Sequence, residues 1–224
     1  MRHFVIGDVH GCFSTLMALL KQLPVKKRDV IVFLGDYIDR GPRSFEVLAL
    51  LQTMKKGTIF LKGNHEEFYL INFKNPADDK LERQEDLSLW LSNGGAQTAL
   101  SFHNANIPLD TFVSFVGDLP LYYETEKFIC VHAGINGTIE KTTEDIFLWE
   151  RSFSNDTQKL LICGHTPWKI TDIENQSDLL KEGKTNIIHV DNGVFVKNQE
   201  MYGNLTAYCP ELNQFWFQPN IEES

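Results

Sequence analysis

The sequence predicts an α/β fold, a β-sandwich of two mixed sheets flanked by helices, and three observations carry that expectation. Short apolar runs recur along the chain, each stopping at glycine or a polar residue. Helical periodicities separate the first of these runs. After Asn186, apolar residues are spaced between turn residues in the manner of strands.

The runs are Phe4 to Ile6 before Gly7-Asp8, Val30 to Leu34 before Gly35-Asp36, and Thr58 to Leu61 before Gly63-Asn64. Two more follow, Phe128 to Val131 before His132 and Leu160 to Cys163 before Gly164-His165. Continuous apolar runs of this length read as strands covered on both faces, and α/β sheets place their sites beyond the carboxyl ends of such strands. Each run therefore delivers a polar residue to the loop where chemistry is expected.

Between the first three runs, Ser14 to Leu23 carries Leu16, Ala18, Leu19, Leu20 and Leu23 at helical spacing, and Ser44 to Met54 carries Phe45, Val47, Leu48 and Leu51. Glu66 to about Pro120 breaks the alternation. Its pieces at Leu81 to Leu91, Gln97 to Phe102 and Leu109 to Val116, with acidic Asp78, Asp79, Glu82, Glu85 and Asp86, predict a helical cap around residues 66–120. Beyond Asn186 the spacing of Ile187, Val190, Val194, Val196, Leu205, Tyr208, Phe215 and Phe217 predicts strands closing a second, more antiparallel sheet.

With 42% hydrophobic and 23% charged residues, the chain has apolar mass for one sizeable core, and one domain over residues 1–224 is expected. No apolar run approaches the roughly 18 residues of a membrane span. The first apolar stretch also ends at Gly7-Asp8, too early for a signal peptide, so a cytoplasmic protein without a membrane partner is expected. A net charge of -9 argues against nucleic acid as a partner. Cys12, Cys130, Cys163 and Cys209 are scattered without a C-x-x-C pair, which predicts reduced thiols.

The strand ends supply Asp8 and His10 in G-D-V-H-G, Asp36 in G-D-Y-I-D-R-G, Asn64 in G-N-H-E, His132 in H-A-G and His165 in G-H-T. Six such groups suffice for two metal ions. Mixed imidazole, carboxylate and amide ligation suits manganese, iron or zinc better than calcium or magnesium, with manganese the expected ion in vitro. Asp36, central in chain order, is the expected bridging carboxylate. Gly7, Gly35 and Gly63 open the first three motifs at equal steps, as successive strand–helix units would.

These motifs resemble the signature of the metal-dependent phosphoprotein phosphatases, within the calcineurin-like metallophosphoesterases, and most closely their compact bacterial and bacteriophage members. The resemblance runs from Gly7 to about Leu205, with Lys74 to Leu119 left unmatched. It implies Asp8, His10 and Asp36 on one metal and Asp36, Asn64, His132 and His165 on the other. It also implies His65 as the acid that protonates the leaving group, Asp39 as the group orienting His65, and Arg40 and Arg151, with Asn64, on the phosphate. The implied reaction is in-line attack on phosphorus by a hydroxide held on two divalent transition ions.

The implied substrate is a phosphorylated protein or peptide, on serine or threonine and on tyrosine as an extension. The alternative is a symmetrical dinucleoside polyphosphate hydrolase, also similar to this chain, in which a neutral residue stands at the position of Asp39 and aspartate at that of Glu66. A non-catalytic phosphate-binding module would have lost ligands, and none is missing here. Asp191 is read either as a turn residue or as a carboxylate orienting a metal-bound histidine. Glu66 is read as complementing a helix amino terminus.

Overall fold

The computed structural model describes residues 1–54, 57–74, 76–152 and 154–223. Strand and helix alternate at first, as β1 (His3–Ile6), α1 (Phe13–Gln22), β2 (Val30–Phe33), α2 (Ser44–Thr53) and β3 (Thr58–Phe60). The expected cap follows as α3 (Asn64–Phe73), α4 (Lys80–Trp90), α5 (Ala96–Ala105) and α6 (Val113–Gly117), with a π-helical turn at Leu91–Gly95. Next come β4 (Tyr122–Glu124), β5 (Phe128–Val131), β6 (Asn136–Gly137), α7 (Glu144–Trp149), β7 (Ser154–Asn155) and β8 (Leu160–Cys163). The last elements are α8 (Ile170–Lys181), β9 (Ile187–His189), β10 (Asn204–Cys209) and β11 (Gln214–Pro219).

Two mixed sheets form the centre, one in the order β11-β10-β1-β2-β3 and the other β4-β5-β8-β9. Strand alternation sorts their side chains into layers. Val5, Val32 and Leu34 cluster with Phe128, Cys130, Ile162 and Ile188 between the sheets. Phe4, Ile6 and Phe33 turn the other way, onto Leu16, Leu19, Val47 and Leu48 of α1 and α2. Ile129, Val131, Leu161 and Cys163 cluster with Phe147 of α7 on the outside of the second sheet. With both faces covered, each large apolar side chain contributes about 1.5–3 kcal/mol, which is why the runs are continuous rather than alternating.

The carboxyl-terminal strands differ from expectation. Only β9 joins the second sheet, parallel to β8, whereas the β10–β11 hairpin pairs antiparallel with β1 and extends the first sheet. Hairpin spacing identifies the strands, but the edge they cover is set by which backbone groups would otherwise stay unpaired, here those of β1. Val194 and Val196 lie outside strands, and Val194 is buried in the core between the first sheet and its helices. All four cysteines are buried free thiols. No helix among the described residues is long and apolar enough to cross a membrane.

Candidate metal centre

The loops at the strand ends are held in backbone conformations that side chains rarely adopt. His10 (φ 44°), Asp36 (52°), Asp39 (69°), Arg40 (67°) and His165 (66°) all lie in the left-handed region. Such residues cost about 1–3 kcal/mol each and persist only where their surroundings over-determine them, typically at functional sites. Two glycines permit the close approach that results. A Cβ on Gly63 would collide with Asp36 Oδ1, and one on Gly164 with Asp8 Oδ1.

Two groups of buried donors result, His10 with Asp36 and His65, and Asp36 with His132 and His165, the ligand atoms of each within 4.8 Å of one another. Asp36 belongs to both, the place expected of a bridging carboxylate. Asn64 joins the second group, its Oδ1 2.9 Å from His132 Nε2 and 3.0 Å from His165 Nδ1. Asp8 is 2% exposed beside the pair but belongs to neither group, its two oxygens accepting from the His165 amide at 3.2 Å. Asp191 is buried, and its Oδ1 accepts from the Gly193 amide at 2.7 Å, as the turn reading expects.

The donor chemistry fits a divalent transition metal. His10 Nδ1 donates to the Ile38 carbonyl at 3.0 Å and His132 Nδ1 donates to the Leu34 carbonyl at 3.1 Å, so each ring turns an unprotonated Nε2 toward Asp36. Burial pushes both rings toward the neutral form, His10 well below its ordinary value, against the pull of Asp36. Burial and the neighbouring His132 hold His165 down to about 3, and its buried Nε2 has no hydrogen-bond partner among the described residues. Burial raises Asp8 far above the usual carboxylate range, with Asp191 and Asp36 adding to it. For Asp36 burial acts in the same sense, but the charge that the surrounding imidazoles, His132 first, carry when protonated outweighs it and the carboxylate is held low. Lone pairs and carboxylates converging in a buried space need cations among them.

His65 and Asp39 form a buried pair, His65 Nδ1 2.7 Å from Asp39 Oδ2, while His65 Nε2 faces Asp36 Oδ2 at 3.9 Å. Burial alone would lower the imidazole, but Asp36 and Asp39 outweigh it and the net shift is upward. The Arg40 guanidinium lies 4.2 Å over the ring of Phe195 with Nη1 3.3 Å from His10 Nε2. Arg151 is exposed, and its charge is one of those that keep His165 neutral.

Four residues about this centre went unassigned in the sequence or were given a smaller part. Glu66 does accept from the Gly63 amide at 3.0 Å, as a helix-terminus carboxylate would, but it also accepts from Asp36 N at 2.7 Å and Tyr37 N at 2.8 Å. Burial, followed by the Asp36 charge, pushes it up to about 8. Trp90 and Thr98 reach Asp39 from the cap, and Phe195 packs against His10, their ring centroids 4.9 Å apart. No local pattern marks these three, because their contacts join segments distant in sequence.

A family model described as calcineurin-like phosphoesterase matches residues 1–196. A symmetrical bis(5'-nucleosyl)-tetraphosphatase of Wigglesworthia glossinidia brevipalpis is 32% identical over 138 residues, 60% of this chain and 45% of the relative. Serine/threonine-protein phosphatase 1 of Salmonella typhimurium is 42% identical over 96 residues, 42% of this chain and 39% of the relative. The matches thus span less than half the length of either relative. The structure of a serine/threonine phosphatase from Saccharomyces cerevisiae superposes with a TM-score of 0.60 at 15% identity, covering 100% of this chain and 81% of that one, a likeness of fold.

Proposed function

The chain belongs to the calcineurin-like phosphoesterase family, and from that premise we propose that it is a metal-dependent phosphomonoesterase acting on phosphorylated protein side chains, serine and threonine first. The observation that carries this reading is the His65–Asp39 pair. An alkoxide leaving from serine or threonine needs a proton, and His65, raised by Asp36 and Asp39 against burial, has one to give at Nε2. A phosphate leaving from a polyphosphate needs much less help.

Asp8, His10 and Asp36 would hold one divalent transition ion, and Asp36, Asn64, His132 and His165 the other. Bound there, the ions would supply an activated water near neutral pH and an electrophilic clamp on the phosphoryl oxygens. Arg40 and Arg151, with Asn64, bind the remaining oxygens and orient the ester, Arg40 being held over Phe195 for that task. Asp39 holds His65 Nδ1–H and so keeps Nε2 aimed at the departing oxygen.

The second reading is hydrolysis of symmetrical dinucleoside polyphosphates. Its support is the tetraphosphatase relative, which matches over more of this chain than the protein phosphatase does. The manganese-loaded protein, assayed for kcat/KM on phosphoserine, phosphothreonine and phosphotyrosine peptides and on diadenosine tetraphosphate, separates the two. The peptides are expected to be the better substrates, and a clear preference for the dinucleotide would overturn the first reading in favour of the second.

A further inference from the structure

Asp39 and Arg40 are consecutive residues in the left-handed region; Ser44 Oγ of α2 accepts from Asp39 N at 3.1 Å, and the other contacts that hold the pair there come from one stretch of the cap. The Gly94 carbonyl accepts from Arg40 N at 3.1 Å. Thr98 Oγ1 accepts from Asp39 N at 2.8 Å and donates its single proton to Asp39 Oδ1 at 2.6 Å. Ser44 Oγ, 2.9 Å away, is left to donate to Thr98. Trp90 Nε1 donates to both Asp39 oxygens, at 3.2 and 3.1 Å.

The stretch is shaped for these contacts. Trp90 is the one buried residue of α4 and is 1% exposed, so this helix is anchored through the side chain that reaches Asp39. The π-helical turn that follows contains Gly94 at φ 105°, and a Cβ there would come within 2.6 Å of Arg40 N. A Cβ on Gly95 would collide with the Trp90 ring itself. Asp39 is wholly buried, and its two oxygens are covered by three donors, His65, Thr98 and Trp90. Those three fix the rotation of the carboxylate. Were Trp90 only a packing residue, phenylalanine would serve equally well.

We propose that Trp90 and Thr98 are positioning residues that act through Asp39, holding its carboxylate in the orientation that aims His65 Nε2 at the leaving group. The cap thereby sets the geometry of the proton donor. This inference rests on the reading of His65 as that donor.

The test is a double-mutant cycle on the manganese-loaded protein. Trp90→Phe and Thr98→Val are each made in the native chain and in His65→Asn, and assayed on a phosphoserine peptide and on p-nitrophenyl phosphate. Each substitution is expected to lower kcat on the peptide roughly tenfold, the low end for lost outer-shell partners, with little change in KM and a smaller loss on the aryl ester. In the His65→Asn background neither should have further effect. Thr98→Ser, which keeps the hydroxyl, should recover the peptide-to-aryl ratio that Thr98→Val loses. The indole proton resonance of Trp90 in the otherwise native protein should shift in Asp39→Asn, a readout available even if Trp90→Phe folds poorly. A loss equal on both substrates, or persisting without His65, overturns the proposal while leaving the acid in place. If His65→Asn itself fails to distinguish the two leaving groups, the acid reading falls and this proposal with it.

Discussion

His132 Nε2 faces Asp36 Oδ1 at 3.4 Å with no proton between them, because His132 donates its Nδ1–H to the Leu34 carbonyl and burial keeps the ring neutral. The two atoms repel unless a cation lies between. The same conflict recurs at His10 Nε2 and Asp36 Oδ2, 3.5 Å apart, so Asp36 is the residue on which both halves of the centre depend.

Two ions are therefore expected per chain, and Asp36→Asn should lose both. Saturating ions at a hundred times their dissociation constants stabilise the fold by about 2.7 kcal/mol per site. At roughly 2–4 °C per kcal/mol, chelation should lower Tm by on the order of 10 °C and abolish activity, with manganese restoring both. Elemental analysis and calorimetric titration check the count. One ion or none in the active protein would rule out a two-metal site.

Arg151→Ala should raise KM and lower kcat, about tenfold in kcat/KM or more, since a charged hydrogen bond to phosphate is worth about 1.5–3 kcal/mol. Arg43 is the control. It pairs with Glu46 at 2.9 Å and lies 4.5 Å over the ring of Phe13, outside the centre. Equal effects at the two positions would remove Arg151 from the substrate clamp.

His65→Asn should reduce turnover of a phosphoserine peptide within the roughly 10²–10⁴-fold range of general acids and reduce that of p-nitrophenyl phosphate far less. The acid must be protonated, and Asp36 and Asp39 hold His65 above its ordinary value against burial, so activity should fall as pH rises through that raised pKa. Asp39→Asn removes one of those partners and should move the basic limb to lower pH. An unmoved limb, with metal content unchanged, would separate Asp39 from the acid.

The metal-free protein should lose stability as pH rises from the ordinary carboxylate range to about 8. Burial pushes Asp191 up to about 7 and Glu66 up to about 8, so between their ordinary and folded values the folded chain binds more protons than the unfolded one. The destabilisation is absent below the ordinary values and complete above the folded ones. Tm measured against pH in chelator should decline across this window and flatten with metal bound. Glu66→Gln should make the decline shallower while lowering Tm at every pH, because an amide cannot accept from Asp36 N, Tyr37 N and Gly63 N together. An equally steep decline in that variant would show that Glu66 does not titrate there.

By itself the sequence determined the layered fold and named His10, Asp36, His132 and His165 of the two donor groups, while His65 joins the first group and Asp8 stands outside both. Asp8, His10, Asp36, Asn64, His132 and His165 each follow a strand within a few residues, and a strand signal and the ligand after it are both local. Tertiary structure decided what no local signal carries. It placed the β10–β11 hairpin on β1 rather than on the second sheet, because alternation marks a strand without naming its neighbour. It brought Trp90 and Thr98 to Asp39 across 51 and 59 residues of sequence, and the Glu66 carboxylate to the amides of Asp36 and Tyr37 across 30 and 29. A buried charge takes its hydrogen bonds from whichever donors the fold packs around it, and that choice is made only when distant segments meet.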